Sequence, residues 1–170
     1  MPEPFTLYKL IILYMLQKVD FPLTNAQISE FILDRGYTTY FTLQSVLSEL
    51  SEASMIRTET IRNTSYYTLT ESGEEALCYF QNRVSPTIRA EIDQYMADNK
   101  MKLRDEVSIV SDYYRNTANE FSVHCVVKEK YANPIELTIT VPDEASAKAV
   151  CNNWKKKCQQ IYEHVMKELL

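Results

Sequence analysis

The stretch FTLYKLIILYMLQK, residues 5–18, constrains this chain more than any other. Leu7, Leu10, Ile11, Tyr14 and Met15 recur at helical spacing, yet apolar residues also fill most positions between them. A surface helix keeps one polar side, so a helix apolar nearly all round must be surrounded by other elements. Its continuous apolar run, residues 10–16, is far shorter than the ~18 residues needed to span a bilayer. The stretch therefore predicts the central helix of a packed domain, broken after Asp20 by Pro22.

Short elements with clear stops follow. Thr24 and Gln27 have capping-box spacing and open a second helix, with Ile28, Phe31 and Ile32 inward and Gly36 as its stop. A third helix runs from about residue 40 to 53, with Thr39 as N-cap and Leu43, Val46, Leu47 and Leu50 on one face. Residues 56–61 and 66–69 are rich in Ile, Thr and Tyr and flank the turn Arg62-Asn63-Thr64-Ser65, which reads as a hairpin. Thr70 caps a fourth helix, with Gly73 in its first turn and Ala76, Leu77 and Phe80 inward.

Ser85-Pro86 opens the second half with a helix to about residue 103, Ile88, Ile92, Tyr95 and Met96 inward. Strands are predicted at 107–114, 121–128 and 135–141. In the last, Ile135, Leu137, Ile139 and Val141 alternate with Glu136, Thr138 and Thr140, which means one buried face and one wet face. The links are short, so the strands form an antiparallel meander. Asp143 caps a final helix to about residue 169. Its stripe of Ala147, Val150, Trp154, Cys158, Ile161, Val165 and Leu169 covers the sheet or pairs with a second copy of itself.

The order of helices and hairpin in the first half is that of a winged helix. YYTLTESGEEAL, residues 66–77, resembles the joint between wing strand and last helix in many bacterial winged-helix regulators, where Leu-Thr precedes Gly by two intervening residues. LQSVLSELSEASMI, residues 43–56, looks like a recognition helix running into a wing. In length and order the whole chain resembles a family of uncharacterised bacterial proteins that join an N-terminal winged helix to a C-terminal α-β-β-β-α domain. The expected fold is thus α+β. Residues 1–82 form a winged helix of three helices, a two-stranded wing and a fourth helix. Residues 83–170 form a three-stranded antiparallel sheet flanked by helices, for dimerisation or sensing. The resemblance implies a DNA-binding regulator and supplies no catalytic motif.

Composition excludes several alternatives. Two glycines, Gly36 and Gly73, cannot build a phosphate loop or a dinucleotide fingerprint, both of which need several close together. The two histidines, His124 and His164, fall on different elements, and no nucleophile or metalloprotease motif is present. Cys151 and Cys158, seven residues apart, are about 10 Å apart along a helix, too far to share a zinc ion. All four cysteines read as reduced and buried. No catalytic residue, metal site or cofactor is expected, and with no signal peptide or membrane span the expected place is the cytoplasm. Lys155-Lys156-Lys157 beside Trp154 could mark a nucleic-acid or membrane contact, but three successive helical residues splay widely, as on any polar face.

The third helix is the main candidate for function. In helix-turn-helix proteins its first residues face the major groove; here these are Thr38, Thr39, Tyr40, Thr42, Gln44 and Ser45. Hydroxyls can touch phosphates and a glutamine amide suits adenine, although the same residues also serve as caps and surface. The wing offers Arg57, Arg62, Asn63 and Thr64, either for phosphates or as soluble surface. Against DNA stand the absence of Lys and Arg from the helix, Glu49 and Glu52 further along it, and a charge imbalance: residues 1–82 hold five basic and ten acidic side chains. The expected function is a transcriptional regulator binding double-stranded DNA as a homodimer, with no membrane partner. The rival is a winged-helix protein-interaction module without DNA affinity.

Overall fold

The computed structural model describes residues 4–170. Among them are six α-helices and two three-stranded antiparallel sheets, an α+β architecture. The chain divides into two compact units, the first ending at Arg104 and the second beginning at Asp105.

In the first unit α1, Pro4–Gln17, buries every side chain from Leu10 to Leu16. This is the outcome required by a helix apolar on all sides. Packed around it are α3 (Tyr40–Glu52), α4 (Glu71–Phe80) and a hairpin of β2 (Ile56–Ile61) and β3 (Thr64–Leu69). The capping box forms at the start of α2, Asn25–Asp34: Gln27 N donates to Thr24 Oγ1 at 3.1 Å, and Thr24 N donates to Gln27 Oε1 at 2.9 Å. Gly36 adopts φ +67°, the left-handed stop expected of it.

The sheet that holds the hairpin has a third strand beyond the two expected of the wing. A short strand β1, Leu23–Thr24, pairs with β3 through Leu23↔Tyr67 and Thr24↔Tyr66, giving the order β1-β3-β2. An N-cap residue already has extended backbone angles (Thr24 φ −81°, ψ 159°), so the entry to α2 can lie along the edge of β3 without further ordering. The turn is also tighter than the sequence suggests. Ile61↔Thr64 is the last pair, and only Arg62 and Asn63 lie outside the ladder.

A 3-10 turn, Gln81–Arg83, leads to α5, Pro86–Ser108. Its Ile92, Met96 and Leu103 join the core of the first unit, and Gln27 Nε2 donates to Leu103 O at 3.2 Å. For that reason the first unit reaches Arg104, beyond the boundary expected at residue 82. Helix geometry persists through Val107 and Ser108, at the start of the run 107–114 expected to be a strand; a single valine at an element boundary does not distinguish the two periods.

The second unit holds β4 (Ile109–Arg115), β5 (Phe121–Val127) and β6 (Ile135–Val141), in that order across the sheet. In register, Val123 faces Tyr113 on one side and Ile139 on the other. Helix α6, Glu144–Leu169, is capped by Asp143, whose carboxylate accepts from Ser146 N at 2.7 Å. Ala147, Cys151, Trp154 and Cys158 pack with Val123 and Cys125 into a core, and Trp154 Nε1 donates to Val126 O at 3.3 Å. The stripe outruns the sheet. Twenty-six helical residues extend about 39 Å, whereas seven-residue strands extend about 23 Å. Beyond Cys158, Ile161 and Leu169 are exposed.

Lys155, Lys156 and Lys157 are all exposed beside the buried Trp154. Cys125, Cys151 and Cys158 are buried, but Cys78 is exposed: it lies off the face of α4 that buries Gly73 and Leu77. His124 Nε2 sits 2.6 Å from Glu136 Oε1, and this contact, then Asn133, holds the Glu136 carboxyl below its usual range. No helix among the described residues is long and apolar enough to cross a membrane.

Candidate nucleic-acid interface

The residues singled out on α3 and the hairpin all lie in the first unit. Thr39 caps α3, its hydroxyl accepting from Thr42 N at 3.3 Å and donating to Thr42 Oγ1 at 3.1 Å. Both hydroxyls are thereby directed along the first turn. Thr38 is half-buried, and Ser45 is exposed one turn on.

Gln44 points back into its own fold. Its Oε1 accepts from Asn25 Nδ2 at 2.7 Å, and its Nε2 donates to Asn25 Oδ1 at 3.0 Å. Asn25 also donates to the Tyr67 hydroxyl at 3.2 Å and accepts from Ser29 Oγ at 3.0 Å. One asparagine at the start of α2 thus ties α2, α3 and β3 together. The glutamine amide expected to face a base holds the angle of its helix instead.

The surface at the start of α3 is aromatic. Tyr40 is 50% exposed and Phe41 83% exposed. Their rings meet edge to face, with centroids 5.9 Å apart and planes at 79°. Phe41 was not among the residues singled out from sequence. The signal was available, since it lies off the Leu43, Val46, Leu47, Leu50 stripe and so has no place in the core. The role of Asn25 left no such signal, because its partners lie 19 and 42 residues away.

On the hairpin Arg57 is exposed opposite Thr68, and Thr64 is half-buried opposite Ile61. Arg62 and Asn63 form the tip, with φ +46° and +63°. Two successive positive angles belong to a type I′ turn, whose twist matches that of the strands. Glycine adopts them freely, whereas a residue with a Cβ loses about 1–2 kcal/mol. Beside Arg57 on the same strand is Glu59, and burial, then Glu59, raises the Tyr66 phenol above its ordinary range. Further along α3, Glu49 is ion-paired with Lys9 at 2.7 Å, which offsets part of the repulsion that the two α3 carboxylates would exert on a phosphate backbone.

The chain matches the family described as Domain of unknown function (DUF4364) over residues 8–169. No curated protein and no solved structure matches it.

Proposed function

We propose that this chain, which belongs to the Domain of unknown function (DUF4364) family, is a transcriptional regulator that binds double-stranded DNA through a winged helix. The observation that carries the reading is the order α1-β1-α2-α3-β2-β3 with sheet order β1-β3-β2. The first turn of α3 exposes Tyr40 and Phe41, and the tip of the hairpin exposes Arg62 and Asn63. On this reading α3 enters the major groove with Thr39, Tyr40 and Ser45 foremost, while Arg57 and Arg62 reach flanking phosphates. Arginine at Arg62, where glycine would relieve the backbone, supports a role for its guanidinium at the tip. Operators with paired half-sites call for a homodimer, and the exposed Ile161 and Leu169 on α6 are a surface on which one could form.

The test is retention of the purified chain on duplex DNA at low and at physiological salt. The native chain is expected to be retained at low salt. With Arg57→Ala and Arg62→Ala together, the slope of log affinity against log salt falls by about two. No retention at low salt, or an unchanged slope in the double variant, overturns the reading. The second reading, a protein-interaction module, is favoured by the five basic and ten acidic residues of the first 82 and by the engagement of Gln44 with Asn25.

A further inference from the structure

Base recognition on α3 has few chemical options. The helix YFTLQSVLSELSE has no lysine, arginine, histidine or asparagine. Its one amide, Gln44, is joined to Asn25 through both of its polar atoms. The hydroxyls of Thr39 and Thr42 are paired with each other. Beside the half-exposed phenol of Tyr40, the side chain that the first turn exposes most is carbon: the ring of Phe41, 83% exposed, which meets Tyr40 edge to face.

The four base pairs differ in how they receive such a ring. In the major groove a G·C pair displays the N7 and O6 acceptors of G and the N4 donor of C, with a bare C5–H and no methyl group, and burying the polar atoms against a phenyl face leaves them unsatisfied. Thymine displays a C5-methyl group, which gains from being covered. An apolar probe at this position therefore discriminates by the methyl group alone.

Resting on the DNA-binding reading above, we propose that Phe41, braced by Tyr40, is the specificity-determining residue of the interface and reads thymine methyl groups, so that the bases facing the start of α3 are rich in A·T pairs. Phe41 selects sequence, Arg57 and Arg62 supply contacts to phosphate, and Gln44 and Asn25 fix the angle at which α3 is presented.

Replacing thymine by uracil removes the methyl group and leaves pairing intact. The experiment selects a random-core duplex library on the full-length chain at low salt, sequences the retained pool, and copies that pool with either dTTP or dUTP. The two copies are then titrated against the native chain and against Phe41→Ala. Because Phe41 is exposed, its replacement leaves the core untouched. The retained cores are expected to be A·T-rich. The uracil copy is expected to bind about fourfold more weakly for each methyl group covered, and Phe41→Ala to bind both copies equally. G·C-rich cores, or equal binding of both copies by the native chain, overturn this proposal while leaving DNA binding intact. A thymine preference that survives in Phe41→Ala overturns the assignment to Phe41. Failure to retain any duplex overturns the DNA-binding reading and this proposal with it.

Discussion

Gly73 lies in the first turn of α4, where alanine is the better helix former by about 1 kcal/mol. Propensity alone therefore predicts that Gly73→Ala stabilises the protein. The structure reverses the sign. A Cβ at this position would lie 2.1 Å from Met55 O and 2.8 Å from Leu69 Cδ1. The first obstacle is backbone, which cannot rotate aside as a side chain can. Met55 O also accepts from Thr70 N at 3.2 Å, while Thr70 Oγ1 donates to Ser54 O at 2.6 Å and accepts from Gly73 N at 3.1 Å. Moving α4 away by the roughly 1 Å required opens this joint. Overpacking of this kind costs ~1–3 kcal/mol, and one or two weakened hydrogen bonds add ~1 kcal/mol each. After subtracting the propensity gain, Gly73→Ala should destabilise by about 3 kcal/mol, a fall in Tm of roughly 6–12 °C for a chain of this size. Gly36→Ala is the control: nothing lies within 4 Å of its Cβ, but φ is +67°, so it should lose only about 1 kcal/mol. Thermal and urea unfolding by far-UV circular dichroism measures both. If Gly73→Ala matches or exceeds the native protein, the close approach at Met55 is not a constraint and the reasoning fails.

Asn25→Ala should lose about 2 kcal/mol, because it strips partners from Gln44, Tyr67 and Ser29. A double-mutant cycle with Gln44→Ala should be strongly non-additive, and additive losses would show that the amide pair carries no coupling. One thiol, Cys78, should react with a thiol reagent in the native protein, the other three only after denaturation; fast labelling of a second native thiol would contradict the burial of Cys125, Cys151 and Cys158. Burial, then the neighbouring Cys151, pushes the Cys125 thiol from 9.0 up to about 11. The unfolded chain therefore releases this proton first, and stability should decline as pH rises from 9 towards 11. Urea midpoints followed by the fluorescence of Trp154, the chain's one tryptophan, should show that decline reduced in Cys125→Ala; identical profiles would refute it.

Periodicity carried most of the architecture because most elements bury one continuous face. The all-apolar α1, the Leu43–Leu50 stripe and the alternation in β6 each have a single structural solution, and the caps at Thr24, Thr39, Thr70 and Asp143 lie where hydroxyl or carboxylate spacing put them. What stayed hidden depends on partners distant in sequence. Leu23 and Thr24 become a strand only because β3 offers an edge. The attachment of α5 to the first core depends on Ile92, Met96 and Leu103 finding that core. The candidate site was half legible. Thr39, Tyr40 and Ser45 lie outward, but Gln44 has the right chemistry and is turned inward by Asn25, which no local pattern marks.

The second sheet has a further consequence at β6. This seven-residue strand is an outer strand of its sheet, with Ile139 and three polar side chains exposed. An open edge of that length can template a strand from another molecule and start fibre-like growth. Pro134 and Pro142 stand immediately outside its two ends, where a ring replaces the amide hydrogen that a lengthening ladder would use, and Glu136 sets a charge within it. The prolines that delimit this strand thus cap the length of the ladder that a second strand could extend.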